Sequence, residues 1–427
     1  MATDIFEELK ARGVIETSTD EEALRDLLAS GPQAIYVGFD PTADSLHVGH
    51  LLPVLMLARL QQSGHRPVAL VGGATGMVGD PSGRSSERQL LTPEVVAANA
   101  EAIGAQLGRV IRFEGEGAAQ LVNNADWITP ITFLEWLRDV GKHFSVNTML
   151  AKESVRARLE QREQGISYTE FSYMLLQAYD FLHLCVHHGC RIQAGGNDQW
   201  GNITAGIELI RRKGEGPAAG FTFPLVTTAS GEKFGKSAGN AVWLDASRTS
   251  PYTFYQFWVR TDDRDVEKFL KFFTFLSLEE IGAVVAEHGE APHRRLAQKR
   301  LAEEVTRLVH GESGLRTAEQ ATAVLFGQEI ADLDDAQLSE IFADVPSTEL
   351  PRARLESGEL TLVDLLAETG LMKSRGEARR RIEAGGTYIN NVRWASVDAA
   401  VGPAQLASES TMVLRAGKKN YHLVRFT

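Results

Sequence analysis

Residues 34–50 run Ala34-Ile35-Tyr36-Val37-Gly38-Phe39-Asp40-Pro41-Thr42-Ala43-Asp44-Ser45-Leu46-His47-Val48-Gly49-His50. An apolar, β-rich run through Phe39 gives way to a polar loop, and a helical pattern follows from about Val48 to Gln62, closed by Gly64. A second apolar run, Pro67 to Gly72, comes next, so the unit reads as βαβ and predicts a parallel sheet. The loop then lies at the carboxyl edge of that sheet, where ligands bind, and the helix start offers unpaired N–H groups to an anion. His47 and His50 are three apart and project from one face of the first turn, while Gly49 admits a close approach to the backbone. Their ring N–H groups suit phosphate or ribose oxygens. Taken alone, the pattern fits equally a pair of solvated histidines at a helix cap.

Farther along, Ser167-Tyr168-Thr169-Glu170 has the form of a capping box opening a helix to about His188, where Gly189 stops it and Cys190 to Ala194 resumes as a strand. On that helix Tyr173, Gln177 and Asp180 fall at i, i+4 and i+7, a polar stripe among Phe171, Met174, Leu175, Leu176, Phe181 and Leu182. Such a stripe either faces solvent or lines a pocket; the apolar remainder points to a helix buried on most sides. Another helix is expected from about Gln199 to Lys213. Helices dominate after Ser247, an acidic, loosely patterned stretch follows Ile330, and a third unit opens near Leu360 and ends in strands. The expected organisation is a parallel-sheet domain over 1–246, an α-helical domain over 247–330, a linker over 331–358 and a small α+β domain over 359–427.

The 427 residues exceed one average core of about 100 to 200 residues. With 43% hydrophobic and 23% charged residues the composition is that of an ordinary globular protein. A net charge of −12 argues against a surface that clings to nucleic acid throughout, and hence against a general DNA binder; any RNA contact must be local. Cys185 and Cys190 are too few for a disulfide framework and suit a reducing compartment. Met1 to Lys10 lacks a secretory apolar core, and no apolar run approaches the roughly 18 residues of a membrane span, so a cytoplasmic address is expected.

A second motif, Lys233-Phe234-Gly235-Lys236-Ser237, lies in a loop after the strand-like Phe221 to Val226, flanked by Gly231 and Gly239. Two lysines and a hydroxyl on a mobile loop can close over a triphosphate and offset charge growing on departing pyrophosphate. A Walker A loop is excluded, because Gly231 to Gly235 encloses three residues where that motif needs four. No G-x-G-x-x-G follows a strand, so a nicotinamide site is poorly supported.

In this order on an α/β pattern, the two motifs resemble the signatures of class I aminoacyl-tRNA synthetases. The resemblance extends along nearly the whole chain to bacterial-type tyrosyl-tRNA synthetases, through Tyr36 to Thr42, Gly79-Asp80-Pro81-Ser82-Gly83, Tyr173 to Asp180 and Gly195-Gly196-Asn197-Asp198-Gln199-Trp200-Gly201. It implies a Rossmann-like catalytic domain that activates tyrosine with ATP and Mg²⁺ and passes it to tRNA(Tyr), and a homodimeric enzyme. By the same resemblance Tyr173, Gln177 and Asp80 would meet the tyrosine ammonium, Tyr36 and Asp180 its phenol OH, and Gln199 its carboxylate. Asp198 and Gly196 would lie near the ribose. Gly38, Asp40, Thr42, His47, Gly49 and His50 would surround the nucleotide, with Lys233, Lys236 and Ser237 on its phosphates. Val37 stands where some members carry cysteine, and Pro53 occupies a variable helix position; both bear on ATP affinity.

Lys373, Arg375, Arg379, Arg380 and Arg381 face one acid, Glu377, and Lys418-Lys419 returns near the end. Ser374 to Asn390 resembles the S4 RNA-binding fold, so this patch is the expected tRNA surface. His183, Cys185, His187, His188 and Cys190 fit no standard zinc spacing, and no metal site is expected. Three other functions stay open: a tryptophan-charging relative, a small-molecule adenylyltransferase, and an RNA-binding protein with a synthetase fold that no longer catalyses.

Overall fold

Five of the six residues in Ala34–Phe39 are buried, as befits a strand covered on both faces. In the computed structural model, which describes residues 4–82, 91–152, 155–156, 159, 166–231, 234–237, 240–330, 333–342, 345–418 and 420–427, this strand is the pivot of a sheet. Among the described residues six strands form it: β1 (Thr17–Ser18), β2 (Ala34–Phe39), β3 (Arg66–Val71), β4 (Gln120–Asn123), β5 (Cys190–Gly196) and β6 (Ala219–Phe223). Their order is β1-β6-β5-β2-β3-β4, parallel except for β1. The chain runs outward from β2 through β3 and β4, then returns to β5 on the other side. That reversal makes the carboxyl ends of β2 and β5 a topological switch point, where a ligand crevice opens.

The helix expected from Val48 begins as a 3₁₀ turn, Val48–His50, and continues as α1 (Leu51–Gln62). Next come α2 (Thr75–Val78), α3 (Ala125–Ile128), α4 (Tyr168–His188) and α5 (Trp200–Lys213). Ser167 caps α4 by accepting from the Glu170 N–H at 3.3 Å, and Gly189 ends it in the left-handed region at φ 64°. The core under the sheet joins Tyr36, Val68 and Leu70 to Met174, Ala178, Phe181 and Leu209. There α5 packs on α4 through Gly206. A Cβ on Gly206 would stand 2.9 Å from Phe181 Cδ1 and 3.1 Å from its Cβ, and Phe181 is fully buried. Gly206→Ala is therefore expected to lower the thermal midpoint: overpacking costs about 1–3 kcal/mol, against a helix-propensity gain of about 1 kcal/mol. An unchanged or raised midpoint would show that the helices separate freely.

The chain divides into two compact units, residues 1–249 with 256–309, and residues 250–255 with 310–427. This differs from the expected three-way division, because the helices after Ser247 are shared out. Asp263–Phe273 and Leu278–Glu290 belong to the first unit. Leu296–Leu325 crosses the division and is interrupted at Gly311, φ 71°. Within the first unit, the buried Arg59 of α1 donates to the carbonyls of Lys271, Phe272 and Thr274, capping Asp263–Phe273 with a cation.

The stretch expected as a loose linker over 331–358 is packed where it is described. Residues 333–342 and 345–358 contribute α6 (Asp335–Ile341), β7 (Ser347–Leu350) and a short helix, Arg352–Glu356, to the second unit. Its acids conceal a packed edge: Asp335 accepts from Ser408, Ser410 and Thr411, while Leu338, Ile341 and Phe342 bury against Val413, Tyr421 and Leu423. In the same unit β7 pairs in parallel with the last strand, Asn420–Phe426, of a sheet that also contains Thr387–Ile389, Val392–Arg393 and Thr411–Ala416. Helices α7 (Leu362–Glu368) and α8 (Arg375–Glu383) pack with that sheet around Leu365, Leu366, Ile382 and Leu414.

Candidate active site

At the switch point lies a cavity of about 350 Å³, a size suited to a small-molecule ligand. Its wall takes Tyr36, Gly38 and Asp40 from β2 and the loop after it, His47, Gly49 and His50 from the next turn, and Gly196, Asp198 and Gln199 from the end of β5. Asp80 completes it, with Tyr173, Gln177 and Asp180 from α4. The stripe on α4 thus faces a pocket and not solvent.

The floor is a buried carboxylate. Asp180 is 1% exposed; Asn124 Nδ2 donates to its Oδ2 at 2.9 Å and Trp127 Nε1 to its Oδ1 at 2.8 Å. Burial pushes its pKa up to about 7, with Asp40 adding to the rise and the two donors pulling against it. Beside it Tyr36 accepts from Gln193 Nε2 at 2.8 Å, which leaves the phenol proton of Tyr36 to point elsewhere. Burial first, then Asp180, holds that phenol well above its usual pKa, so it stays a neutral donor.

The upper wall is acidic. Tyr173 donates to Asp40 Oδ2 at 2.9 Å, and Thr75 donates to Asp40 Oδ1 at the same distance. Asp80 accepts from Ser82 N at 2.8 Å and from Gln199 Nε2 at 2.7 Å, and Asn202 Nδ2 ties Gln199 to Gln177 at 3.1 and 3.0 Å. Two carboxylates and two amide oxygens converging on a cavity favour a cationic group such as an ammonium.

The histidine turn is internally bonded. His47 Nδ1 accepts from the Gly49 N–H at 3.1 Å, and His50 Nδ1 accepts from the His47 N–H at 3.2 Å. With both Nδ1 atoms accepting, each neutral ring carries its proton on Nε2 and is a donor there. The rings lie 4.0 Å apart. Gly49 has a more specific reason than close approach by a ligand, since a Cβ there would stand 2.8 Å from His47 Cε1.

The second motif reaches this turn through its backbone. Lys236–Ser237 pairs with Asn240–Ala241 as a short hairpin, not a helix. The Val242 N–H donates to Gly235 O at 3.0 Å and the Val48 N–H to Val242 O at 2.9 Å. Gly235, at φ 92°, lies against Val48. Phe234 is buried among Phe257, Trp258, Phe269 and Phe273, so this end of the loop is anchored. Lys233 lies outside the described residues.

Thr42 is exposed and bonds its N–H to Asp40 O at 2.9 Å; it is not in the cavity wall. Asn124, Trp127, Gln193 and Asn202 were not singled out from sequence, although the turn after β4 lies at the same carboxyl edge. In the second unit Lys373, Arg375, Arg379, Arg380 and Lys418 are exposed, while Ala378 and Ile382 of α8 are buried. Arg375 pairs with Asp364 at 2.8 Å. Lys419 lies outside the described residues.

A family model for tRNA synthetases class I (W and Y) matches residues 29–327, and one for the tyrosine–tRNA ligase SYY-like C-terminal domain matches 337–424. The chain is 54% identical over 424 residues to the tyrosine–tRNA ligase of Roseiflexus castenholzii, covering 99% of each. It is 53% identical over 425 residues to that of Geobacillus stearothermophilus, covering 99% of this chain and 100% of the other. Among solved structures it is similar to a C-terminally truncated mitochondrial tyrosyl-tRNA synthetase of Aspergillus nidulans, with TM-score 0.69, 35% identity, and coverage of 76% of this chain and 94% of that one.

Proposed function

The chain belongs to the class I tyrosine–tRNA ligases, and on that premise we propose how its residues carry the ATP-dependent joining of tyrosine to tRNA(Tyr). The observation that carries the assignment is Asp180, a carboxylate sealed beneath the cavity with two donors and acceptor capacity to spare. It takes the phenol OH of tyrosine together with Tyr36. Asp80, Tyr173 and Gln177 hold the ammonium, and Gln199 lies by the carboxylate. ATP occupies the opening beside Gly38, Asp40, Thr42, Gly49, Gly196 and Asp198.

The tyrosine carboxylate is already ionised at neutral pH and attacks the α-phosphorus of ATP without a general base, forming tyrosyl-adenylate as the bond to the departing pyrophosphate breaks. Catalysis is therefore positioning and charge stabilisation, by the Nε2–H donors of His47 and His50 and by Thr42, Lys233, Lys236 and Ser237. Mg²⁺ would be held chiefly by the triphosphate, whose charge it would share. A ribose hydroxyl of tRNA then attacks the tyrosyl carbonyl of the adenylate, forming the ester and releasing AMP. Exchange of pyrophosphate into ATP tests the assignment: tyrosine should support it, and phenylalanine and tryptophan should not. Exchange driven by tryptophan, or by no amino acid, would overturn it.

The catalytic step falls to the sheet-bearing unit, residues 1–249 with 256–309, and the S4-like segment 359–427 of the second unit engages tRNA. Lys373, Arg375, Arg379, Arg380, Lys418 and Lys419 contact RNA phosphates. Replacing Lys373, Arg379 and Arg380 with alanine is expected to weaken tRNA binding and lower its salt dependence by about two to three units of slope, with exchange intact. Equal losses in both assays would place the patch elsewhere in the mechanism. The enzyme works as a homodimer in the cytoplasm, where Cys185 and Cys190 stay free thiols. Helix Phe133–Asp139 exposes Phe133, Leu134 and Leu137, an apolar face suited to a second copy. Leu134→Asp should shift the sedimenting mass to that of one chain, and a wild-type mass already that small would refute the pairing.

A further inference from the structure

Asp180 and His183 lie three residues apart on α4 and share one face of it. The Trp127 indole sits against both. Its Nε1–H donates to Asp180 Oδ1 at 2.8 Å, and its face lies on the His183 ring, centroids 4.4 Å apart and planes 10° from parallel. Trp127 comes from α3, a helix of four residues, too short to hold an indole by itself. The ring is half-buried, so its neighbours decide where the N–H points. His183 does not line the tyrosine cavity; it lines a second one of about 430 Å³, with Tyr179, His187, Asp139 and Lys213.

We propose that His183 is a positioning residue for tyrosine selection, its imidazole face clamping the Trp127 indole so that the N–H stays on Asp180. This rests on Asp180 receiving the phenol OH. Without the clamp the indole can turn away, and a buried carboxylate loses one of its two donors, which weakens its hold on the substrate hydroxyl. Burial, then the neighbouring His187 and His188, lower the His183 pKa to about 4, so the ring is neutral at working pH and stacks without a charge to desolvate. The acids Glu135, Asp139 and Glu215 and the base Lys213 line the same cavity.

The test measures pyrophosphate exchange with tyrosine and with phenylalanine on four variants. His183→Leu keeps bulk but loses the flat face. It is expected to raise KM for tyrosine and lower the tyrosine-to-phenylalanine preference, each about two- to tenfold, the worth of one ring pair, with kcat at saturating tyrosine unchanged. His183→Phe restores both, and Trp127→Phe, a ring without the N–H, loses the preference again. Wild-type KM and preference in His183→Leu, beside lost discrimination in Asp180→Asn, would overturn the clamp and leave the pocket assignment standing. A fall in kcat that phenylalanine does not rescue would also overturn it, marking a merely structural histidine. Full discrimination in Asp180→Asn would remove the pocket assignment and the clamp with it.

Discussion

Asp180→Asn is expected to cost roughly 10- to 150-fold of the preference for tyrosine over phenylalanine, the range set by a hydrogen bond to a charged partner. Tyrosyl-tRNA synthetases are themselves the standard example of such selection, at about 10⁵-fold without editing. The cause lies under the cavity. Phenylalanine would leave a buried carboxylate facing a hydrogen atom that cannot bond, at a site closed to water. An asparagine has one oxygen for two donors, Asn124 Nδ2 and Trp127 Nε1, and must turn its own NH₂ toward one of them. Measured as the ratio of kcat/KM values in exchange assays, an unchanged ratio would remove Asp180 from tyrosine selection.

The same residue carries a pH signature. Its carboxyl is raised to about 7, mainly by burial, against about 3.9 for a free aspartate. The ionised form is the acceptor, so KM for tyrosine should fall as pH rises through about 7 and then level, while Asp180→Asn stays flat there. For stability the sign is opposite. A raised folded pKa means the folded state binds this proton more tightly than the unfolded chain does. The resulting stabilisation is complete below about 4 and lost as pH rises toward 7, at no more than about 1.4 kcal/mol per pH unit. The stability of Asp180→Asn relative to wild type should therefore improve across that window.

Local pattern made part of this site legible. The unbroken apolar run of β2, the strand-to-helix turn at His47 and the i, i+4, i+7 stripe on α4 are each properties of one segment, and each leads to a wall of the cavity. What pattern could not supply is convergence. Asn124 and Trp127 follow β4, and Gln193 lies within β5, so their meeting with Asp180 and Tyr36 depends on the strand order around β2. The acidic stretch after Ile330 hides its packing for a related reason. Asp335 looks like a solvated charge until three hydroxyls from a distant strand and turn are brought to it. Leu338, Ile341 and Phe342 mark the buried face of α6, a short signal next to the acids that flank it.

His47→Ala is expected to slow adenylate formation by about 10²- to 10³-fold with little change in tyrosine binding, the usual effect of losing one preorganised donor to developing charge. On the proposed assignment His47 would serve the phosphates through Nε2, because Nδ1 accepts from the Gly49 N–H. Gly49 holds that commitment in place. Its φ is not in the left-handed region, so the backbone would accept a side chain, but an added Cβ would stand 2.8 Å from His47 Cε1 and 2.9 Å from Nδ1. Gly49→Ala must therefore push the imidazole off its backbone donor and swing Nε2 away from the reacting phosphate. Single-turnover activation should slow in this variant, short of the full loss in His47→Ala, with the Kd for tyrosine unchanged because Asp180, Tyr36 and Asp80 are untouched. A Gly49→Ala enzyme as fast as wild type would mean that ring placement does not limit the step, and that His47 acts through its bulk or through the helix start alone.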